Sequence, residues 1–137
     1  MKIVICGSAT ASKKMIQMRD SLRDIKHEVI APKHIEEYVL METSEHIHNE
    51  SVKNKIDQDL IRDYYNEIKN SDAILVINEM RHNINNYIGG NSFLEIGFAY
   101  ILNKKIFLLN PIPNIGYKEE IEAMRPIIVN GDLSKIK

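Results

Sequence analysis

Short apolar runs, each closed by turn residues, restrict the fold of this chain more than any other feature of its sequence. The clearest run covers residues 73–78 and reads Ala-Ile-Leu-Val-Ile-Asn. A run that is too short for a helix and rich in β-branched residues is typical of a strand buried on both faces of a parallel sheet. Similar runs predict four further strands, at residues 2–6, 28–31, 105–109 and 126–129.

Longer stretches with helical periodicity separate these runs. Apolar residues recur at helical spacing after Ser12, which predicts a helix capped by that serine. Residues 42–55 are polar but lack glycine and proline, which predicts a helical surface excursion that could act as a lid. A short helix is predicted over residues 117–124. Two further helices are predicted from their apolar periodicity. The residues predicted to face inward are Ile56, Leu60, Tyr64 and Ile68 in the first, and Leu94, Phe98, Ile101 and Leu102 in the second.

The alternation of strands with helices predicts a doubly wound α/β fold of the Rossmann-like or flavodoxin-like kind. Right-handed crossovers would place the helices on both faces of a five-stranded parallel sheet. A length of 137 residues fits one domain over residues 1–137 and can bury a core without disulfides. Apolar residues at 44% and charged residues at 27% are also ordinary for a globular domain.

The amino-acid composition argues against several classes of binding partner. Eighteen Lys and Arg against nineteen Asp and Glu argue against binding of extended nucleic acid. The absence of a long apolar stretch or a signal-peptide core predicts a cytoplasmic protein without a membrane partner. Cys6 lies in an apolar run, which is typical of a buried, inert thiol. No metal site is predicted, since His46 and His48 would not share a helix face.

The segments that follow the strands are the candidates for a binding site, because open α/β sheets bind ligands beyond the carboxyl ends of their strands. Gly7, Ser8, Ala9 and Thr10 follow the first strand and precede a helix. Their backbone N–H groups and hydroxyls could hold a phosphate or a sugar. The sequence is equally consistent with a plain tight turn.

A second candidate segment follows the central strand and contains Gly89, Gly90, Asn91, Ser92 and Glu95. Paired glycines would let a ligand approach the backbone closely. Glu95 is predicted in the first turn of the next helix, where a carboxylate has two interpretations. It could complete a capping box with Ser92, or it could face a ligand.

Two segments here resemble the nucleoside 2-deoxyribosyltransferase superfamily. Residues 90–99 (Gly-Asn-Ser-Phe-Leu-Glu-Ile-Gly-Phe-Ala) and 103–109 (Asn-Lys-Lys-Ile-Phe-Leu-Leu) are similar to its pattern of Glu-Leu-Gly-x-Ala, a short gap, Gly-Lys and a strand. Cys6-Gly7-Ser8 also resembles the start of the phosphate loop in the branch of deoxynucleoside 5'-monophosphate N-glycosidases. The order of predicted elements is similar over most of the chain.

The resemblance implies an enzyme that cleaves or transfers the N-glycosidic bond of a nucleoside or nucleotide, without a cofactor. Glu95 would be the nucleophile that forms a covalent glycosyl intermediate. The first loop, Gly7 to Thr10, would hold the 5' end of the substrate. Gly89, Gly90 and Asn91 would close over the sugar. A neighbouring subunit often completes such sites, so the resemblance also implies a homodimer or a larger assembly, with residues 117–124 as the donor segment.

The chain departs from the family pattern at three positions. Tyr64 stands where the family has an Asp that orients the sugar or base, and we expect the neighbouring Asp63 to take this role, with Asp59 as the alternative. Thr10 replaces an Arg and Gly89 replaces a Ser that bind the 5'-phosphate. Residues that could compensate are Arg81, Lys13 and Lys14, although solvation at the surface is the favoured explanation for each of them.

Tyr87, beside the glycine pair, is the best candidate for stacking on a base. Two other functions fit the same segments. One is a non-catalytic nucleotide sensor, in which residues 42–55 contact a partner. The other is a phosphoribohydrolase, whose Gly-Gly-x-Gly-Thr-x-x-Glu motif is similar to residues 89–95 but differs in spacing.

Overall fold

Five parallel strands form the centre of the protein in a computed structural model that describes residues 1–137. They are β1 (Lys2–Gly7), β2 (Glu28–Ile30), β3 (Ala73–Ile77), β4 (Lys105–Leu108) and β5 (Ile127–Ile128). Their order in the sheet is β2-β1-β3-β4-β5, and every neighbouring pair is parallel. The predicted five-stranded parallel sheet is therefore confirmed.

Six helices connect the strands and cover both faces of the sheet. They are α1 (Ser12–Asp24), α2 (Ile35–Val39), α3 (Ser44–Asp57), α4 (Leu60–Lys69), α5 (Gly90–Ile101) and α6 (Lys118–Ala123). One buried cluster joins Ile5 and Leu75 of the sheet to α1 and α2. A second cluster on the opposite face joins Val4 and Val76 to α4, α5 and α6. The doubly wound arrangement predicted from the sequence is thus confirmed.

The strand order creates a crevice at the carboxyl ends of β1 and β3. From β1 the chain crosses to β2 on one side, and it later crosses to β3 on the other side. The loops that leave β1 and β3 therefore diverge, as at the switch points where α/β sheets bind ligands. The register places Gly7 beside Ile77 at this edge.

The single amphipathic helix predicted across Ile56 and Ile68 was wrong, because the chain breaks between α3 and α4. Asp59 adopts a left-handed conformation, with φ of 49°, and becomes the N-cap of α4. The chain changes direction there, so Ile56 is 75% exposed whereas Ile68 is fully buried. A carboxylate residue tolerates this conformation better than most side chains do, and neither glycine nor proline marks the break.

The inward face predicted for α5 was wrong for two of its four residues. Leu94 is 47% exposed and Ile101 is 81% exposed, although both were expected in the core. Phe98 and Leu102, the other two, are partly buried and pack against the core. The fully inward residues of α5 are Ser92, Glu95, Ile96 and Ala99, so small and polar residues share the buried face and apolar periodicity identifies it only in part.

The cap of the first helix differs from the prediction as well. Ser12 is the first residue of α1, and a 3₁₀ turn over Ala9–Ala11 precedes it. Ser8 caps this turn by accepting a hydrogen bond from the backbone N–H of Thr10. Cys6 is fully buried as a free thiol, as expected. None of the helices has the length and apolar character required to cross a bilayer.

Candidate active site

Glu95 is a buried carboxylate near the carboxyl ends of the strands. It lies in the second turn of α5, its side chain faces the sheet, and only 4% of the residue is exposed. Asn91, one turn earlier, donates a hydrogen bond of 2.9 Å from Nδ2 to Oε1 of Glu95. Few carboxylates are buried without an ion pair, so this position requires an explanation beyond folding.

The capping-box interpretation of Glu95 was wrong. The N-cap of α5 is Gly89, three residues before Ser92, and the first turn of the helix contains no acidic residue. Ser92 and Glu95 both lie inside the helix and are both buried. Glu95 therefore does not serve the helix end, and its carboxyl group is directed into the protein.

Burial controls the protonation of Glu95. Desolvation raises its pKa from 4.5 to about 8, while the Cys6 thiol and the positive charge of Lys55 favour the ionised form. Burial likewise raises the pKa of Cys6, and the Glu95 charge raises it further. A carboxyl group with a pKa near neutrality in a cleft is typical of a functional site.

Glu95 lies in the wall of a deep chamber with a volume of about 100 Å³. Apolar residues from the loop after β2 and from α4 and α5 form much of this chamber, including Ile30, Pro32, Leu60 and Phe98. Its polar groups include Lys33, His34, Ser51, Lys55, Asp63, Tyr64, Glu67 and Asn91, besides Glu95 itself. We term this chamber the apolar slot, because most of the surface of its wall is apolar. Mostly apolar pockets with convergent polar groups are typical of sites that bind small organic molecules.

A wider outer chamber of about 750 Å³ adjoins the deep one. Its walls come from the first loop, from α3, and from the segment between β3 and α5. Its charged and titratable groups are Glu45, His48, Lys55, Arg81 and His82. Both chambers share six wall residues, namely Gly7, Ala9, Ser51, Lys55, Ile61 and Asn91. They therefore form one cleft with a mixed, mostly basic outer half.

The first loop brings its predicted residues to this cleft. Gly7 and Ala9 line both chambers, whereas Ser8 and Thr10 line the outer one. The Ser8 and Thr10 hydroxyls are 2.9 Å apart and hydrogen-bonded. Gly7 also has a packing role, because a Cβ there would lie 3.2 Å from Sδ of Met15 and 3.3 Å from the Ile77 carbonyl oxygen.

Arg81 reaches the first loop from the other side of the cleft. Its Nη1 donates a hydrogen bond of 2.8 Å to Oγ of Ser8. The guanidinium therefore stands beside the loop in which the resembled family carries its own arginine, at the position of Thr10. Neither Lys13 nor Lys14 lines either chamber.

The predicted glycine segment lines the outer chamber. Gly89, Gly90 and Asn91 form its wall at the start of α5, and Asn91 also reaches the deep chamber. A Cβ on Gly90 would meet no atom within 4 Å, so this position opens onto the cleft. Tyr87 lies in the outer chamber, with its ring 5.2 Å from that of His82 in an edge-on contact. It therefore lies outside the apolar slot.

The two candidate second carboxylates lie in different places. Asp63 lines the deep chamber and forms an ion pair of 2.6 Å with Nζ of Lys33. Asp59 lines neither chamber and contacts Arg62. Tyr64 occupies the depth of the site, where its hydroxyl donates to the carbonyl oxygen of Ile5. Burial raises the pKa of Tyr64, and interactions with the nearby Cys6 and Glu95 add to this effect.

Hydrogen bonds between two asparagines hold the loops after β3 and β4 together. Asn78 is fully buried, and its amide donates to the carbonyl oxygens of Asn110 and Pro111 at 2.9 and 3.1 Å. Its Oδ1 accepts from the Asn110 backbone N–H at 2.9 Å. Nearby, the Tyr117 hydroxyl donates to the carbonyl oxygen of Ile88. The segment that precedes α5 is therefore anchored on both sides.

Sequence reasoning missed Lys55, which lines both chambers. It lies in the polar stretch that was predicted to be a surface excursion, and no motif distinguishes it from its neighbours. Burial lowers its pKa, whereas the charge of Glu95 acts in the opposite direction. The position of Lys55 in the cleft becomes visible only in the structure, where α3 packs over the cleft.

The comparisons with known proteins identify a similar fold. The Clostridium botulinum CMP N-glycosidase BcmB matches with a TM-score of 0.53 and 15% sequence identity, over 99% of this chain and 98% of that chain. No protein-family model matches the sequence. No curated protein matches it either. The protein thus has the fold of an N-glycosidase along its whole length, in agreement with the fold that the sequence resemblance implies.

Proposed function

We propose that the protein cleaves the N-glycosidic bond of a nucleoside 5'-monophosphate, with Glu95 as the nucleophile. The observation that carries the proposal is the burial of Glu95 in the wall of an apolar slot that adjoins a polar, mostly basic chamber. A nucleotide has the matching polarity, with a flat base at one end, an anionic group at the other and the scissile carbon between them. The shared fold with an N-glycosidase supports the same chemistry.

The reaction requires Glu95 in its ionised form. A carboxylate oxygen attacks the anomeric carbon, a carbon–oxygen bond forms, and the bond to the base nitrogen breaks. The base leaves with the bonding electron pair and takes up a proton. Water then attacks the same carbon, loses a proton and releases the sugar phosphate and the Glu95 carboxylate.

The surroundings of Glu95 suit this reaction in two respects. The Asn91 amide directs one carboxylate oxygen by a hydrogen bond of 2.9 Å, which favours the charged form. Desolvation makes the carboxylate a stronger nucleophile once it has ionised, because a base with a higher pKa forms bonds to carbon more readily. The same burial reduces the ionised population at neutral pH.

The outer chamber would hold the 5'-phosphate. Arg81 and Ser8 are already hydrogen-bonded to each other there, and no side chain caps the start of α5, so its first backbone N–H groups could donate to a phosphate. We infer that Arg81 replaces the arginine that the resembled family carries at the position of Thr10. Asp63, on the wall of the deep chamber, would contact the base or the sugar.

The test is chromatographic detection of free base after incubation with ribo- and deoxyribonucleosides and their 5'-monophosphates. Glu95→Gln should lower base release by about a thousandfold or more, since it removes the nucleophile but retains the shape of the side chain. Glu28→Gln, at the exposed start of β2, is the matched control and should retain full activity. Release that persists in Glu95→Gln would disprove the proposal.

A second incubation with an added free base separates hydrolysis from transfer. A hydrolase yields the free sugar phosphate whether or not another base is present. A transferase would instead yield a new nucleotide that contains the added base. We expect the hydrolase outcome for a monophosphate substrate.

A nucleotide sensor is the second candidate, and the protonation of Glu95 is the observation that favours it. With a pKa of about 8, most of the carboxyl group is protonated at neutral pH and can donate a hydrogen bond to a ligand. Calorimetric binding of a nucleotide without release of base at any pH up to 9 would favour the sensor.

A further inference from the structure

Helix α3 contributes one charged side chain to the point where the two chambers meet. Lys55 lies near the carboxyl end of this helix, is partly buried and lines both chambers. Lys53, two residues earlier on the same helix, is exposed and lines neither. Of the charged residues of α3, Lys55 alone lines the deep chamber, whereas Glu45 lines only the outer one.

The Lys55 ammonium is held in place by its own helix. Nζ donates a hydrogen bond to Oγ of Ser51, one turn earlier, and Ser51 is buried. Helix α3 in turn packs on the 3₁₀ turn Ala9–Ala11 and on α4. A lysine of this kind loses conformational freedom on folding, so a surface role would not account for its placement.

Lys55 and Glu95 line the same chamber without forming an ion pair. Both side chains line the deep chamber, yet no ion pair within 4.0 Å joins them. Glu95 is buried and Lys55 is partly buried. Charges in such surroundings attract each other more strongly at a given distance than they do in bulk water.

We propose that Lys55 is a positioning residue for Glu95, supplying from α3 a positive charge that raises the ionised fraction of this carboxyl group. The inference rests on the proposed function, because an ionised Glu95 matters only if it acts as a nucleophile. It also assigns a role to the polar helix α3, which places the Lys55 ammonium in the chamber that contains Glu95.

Other groups around Glu95 do not replace this charge. From β1, Cys6 is a neutral thiol whose pKa is raised by burial. From α4, Tyr64 is a neutral phenol whose hydroxyl is directed to Ile5, and Glu67 in the same chamber would carry a negative charge. On α5 itself, Asn91 offers a neutral amide. The other lysine of the deep chamber, Lys33, is paired with Asp63.

The experiment is a carbon-13 NMR titration of the glutamate side-chain carboxyl groups in the whole protein, with the Glu95 signal assigned by its loss in Glu95→Gln. Lys55→Met should reduce the ionised population of Glu95 at pH 7 by about threefold to tenfold, whereas Lys55→Arg should restore most of it. Lys53→Met is the control on the same helix and should leave the titration unchanged. An unchanged titration in Lys55→Met would overturn the proposal.

Ser51→Ala provides a second route if Lys55→Met does not fold. Without the Ser51 hydroxyl the Lys55 ammonium is less restrained, so the ionised population of Glu95 should fall by about twofold. An unchanged ionised population would contradict the proposal. The titration requires no substrate. If the protein releases no base but Lys55→Met still lowers the ionised population of Glu95, only the proposed function is disproved. If the protein releases base but Lys55→Met leaves the titration unchanged, only the role of Lys55 is disproved.

Discussion

Nδ2 of Asn91 lies 2.9 Å from Oε1 of Glu95, one turn away on the same helix. This hydrogen bond favours the ionised carboxylate and fixes the direction of one oxygen. Asn91→Ala should therefore lower kcat/KM for base release by about tenfold to a hundredfold, the value of a hydrogen bond to a charged group. Steady-state kinetics would measure the loss. Asn114→Ala, at an exposed position, is the control, and equal kinetics in the two variants would contradict the assignment.

The pKa of Glu95 predicts how the reaction depends on pH. Because burial raises this pKa to about 8, the nucleophilic form is the minor one at neutral pH. The kcat/KM value should rise about tenfold for each pH unit between pH 5 and pH 7, and it should level off above pH 8. Initial rates in a buffer series would measure the profile. A rate that is constant from pH 5 to pH 7 would show that Glu95 does not act in its ionised form.

The same pKa makes Glu95 a source of instability at high pH. In the unfolded chain Glu95 loses its proton near pH 4.5, whereas the folded protein retains it up to about pH 8. The folded state binds the additional proton between these values, so the free energy of unfolding falls as the pH rises through this range. Below about pH 4.5 the carboxyl group is protonated in both states and carries no such penalty.

Glu95→Gln should therefore stabilise the protein at pH 8 by an amount on the order of 4 kcal/mol, and the gain should vanish near pH 4.5. Urea unfolding of both proteins at pH 4.5, 6 and 8 would measure the difference. The exposed Glu119→Gln variant should match the unmodified protein at each pH. A gain that does not vary with pH would indicate a packing effect instead of the removal of a buried charge.

The sequence predicts the sheet well because buried parallel strands require short, continuous apolar runs. Residues 73–78 could satisfy no other local structure, and this strand lies at the centre of the sheet. The helices were harder to predict. The left-handed residue Asp59 gives no glycine or proline signal, so the break before α4 was missed.

The candidate site could be predicted only in part, for related reasons. Glu95 was selected as a candidate by its family-like segment, but the apolar residues of α5 indicated its buried face only in part, since Leu94 and Ile101 are exposed. Lys55 left no local signal, because a lysine in a polar helix is ordinary until the helix packs over a cleft. Tertiary packing determines which lysine lies in the same chamber as the Glu95 carboxyl group.

Arg81 should determine the preference for a 5'-phosphate. Its guanidinium lies beside Ser8 in the outer chamber, where a phosphate would accept paired hydrogen bonds. Arg81→Met should lower kcat/KM for a nucleoside monophosphate by about tenfold to a hundredfold and leave the value for the nucleoside within about twofold. Kinetics on the two substrates would measure both effects. Arg62→Met, with a side chain that is 83% exposed, is the control. An equal loss on both substrates would exclude a phosphate role.

Asp63 and Asp59 are distinguished by a pair of substitutions. Asp63 lines the deep chamber, so Asp63→Asn should lower kcat/KM for base release by about tenfold or more. The ion pair with Lys33 is largely exposed, and its loss should lower the free energy of unfolding by less than about 1 kcal/mol.

Asp59→Asn is the matched change four residues earlier on the chain. Asparagine tolerates the left-handed conformation at this position, so the variant should fold normally and retain full activity. Base-release kinetics together with urea unfolding of both variants would separate catalysis from stability. Loss of activity in Asp59→Asn together with normal activity in Asp63→Asn would make Asp59 the second carboxylate. Asp59 would then have to reach the cleft by a movement of the start of α4.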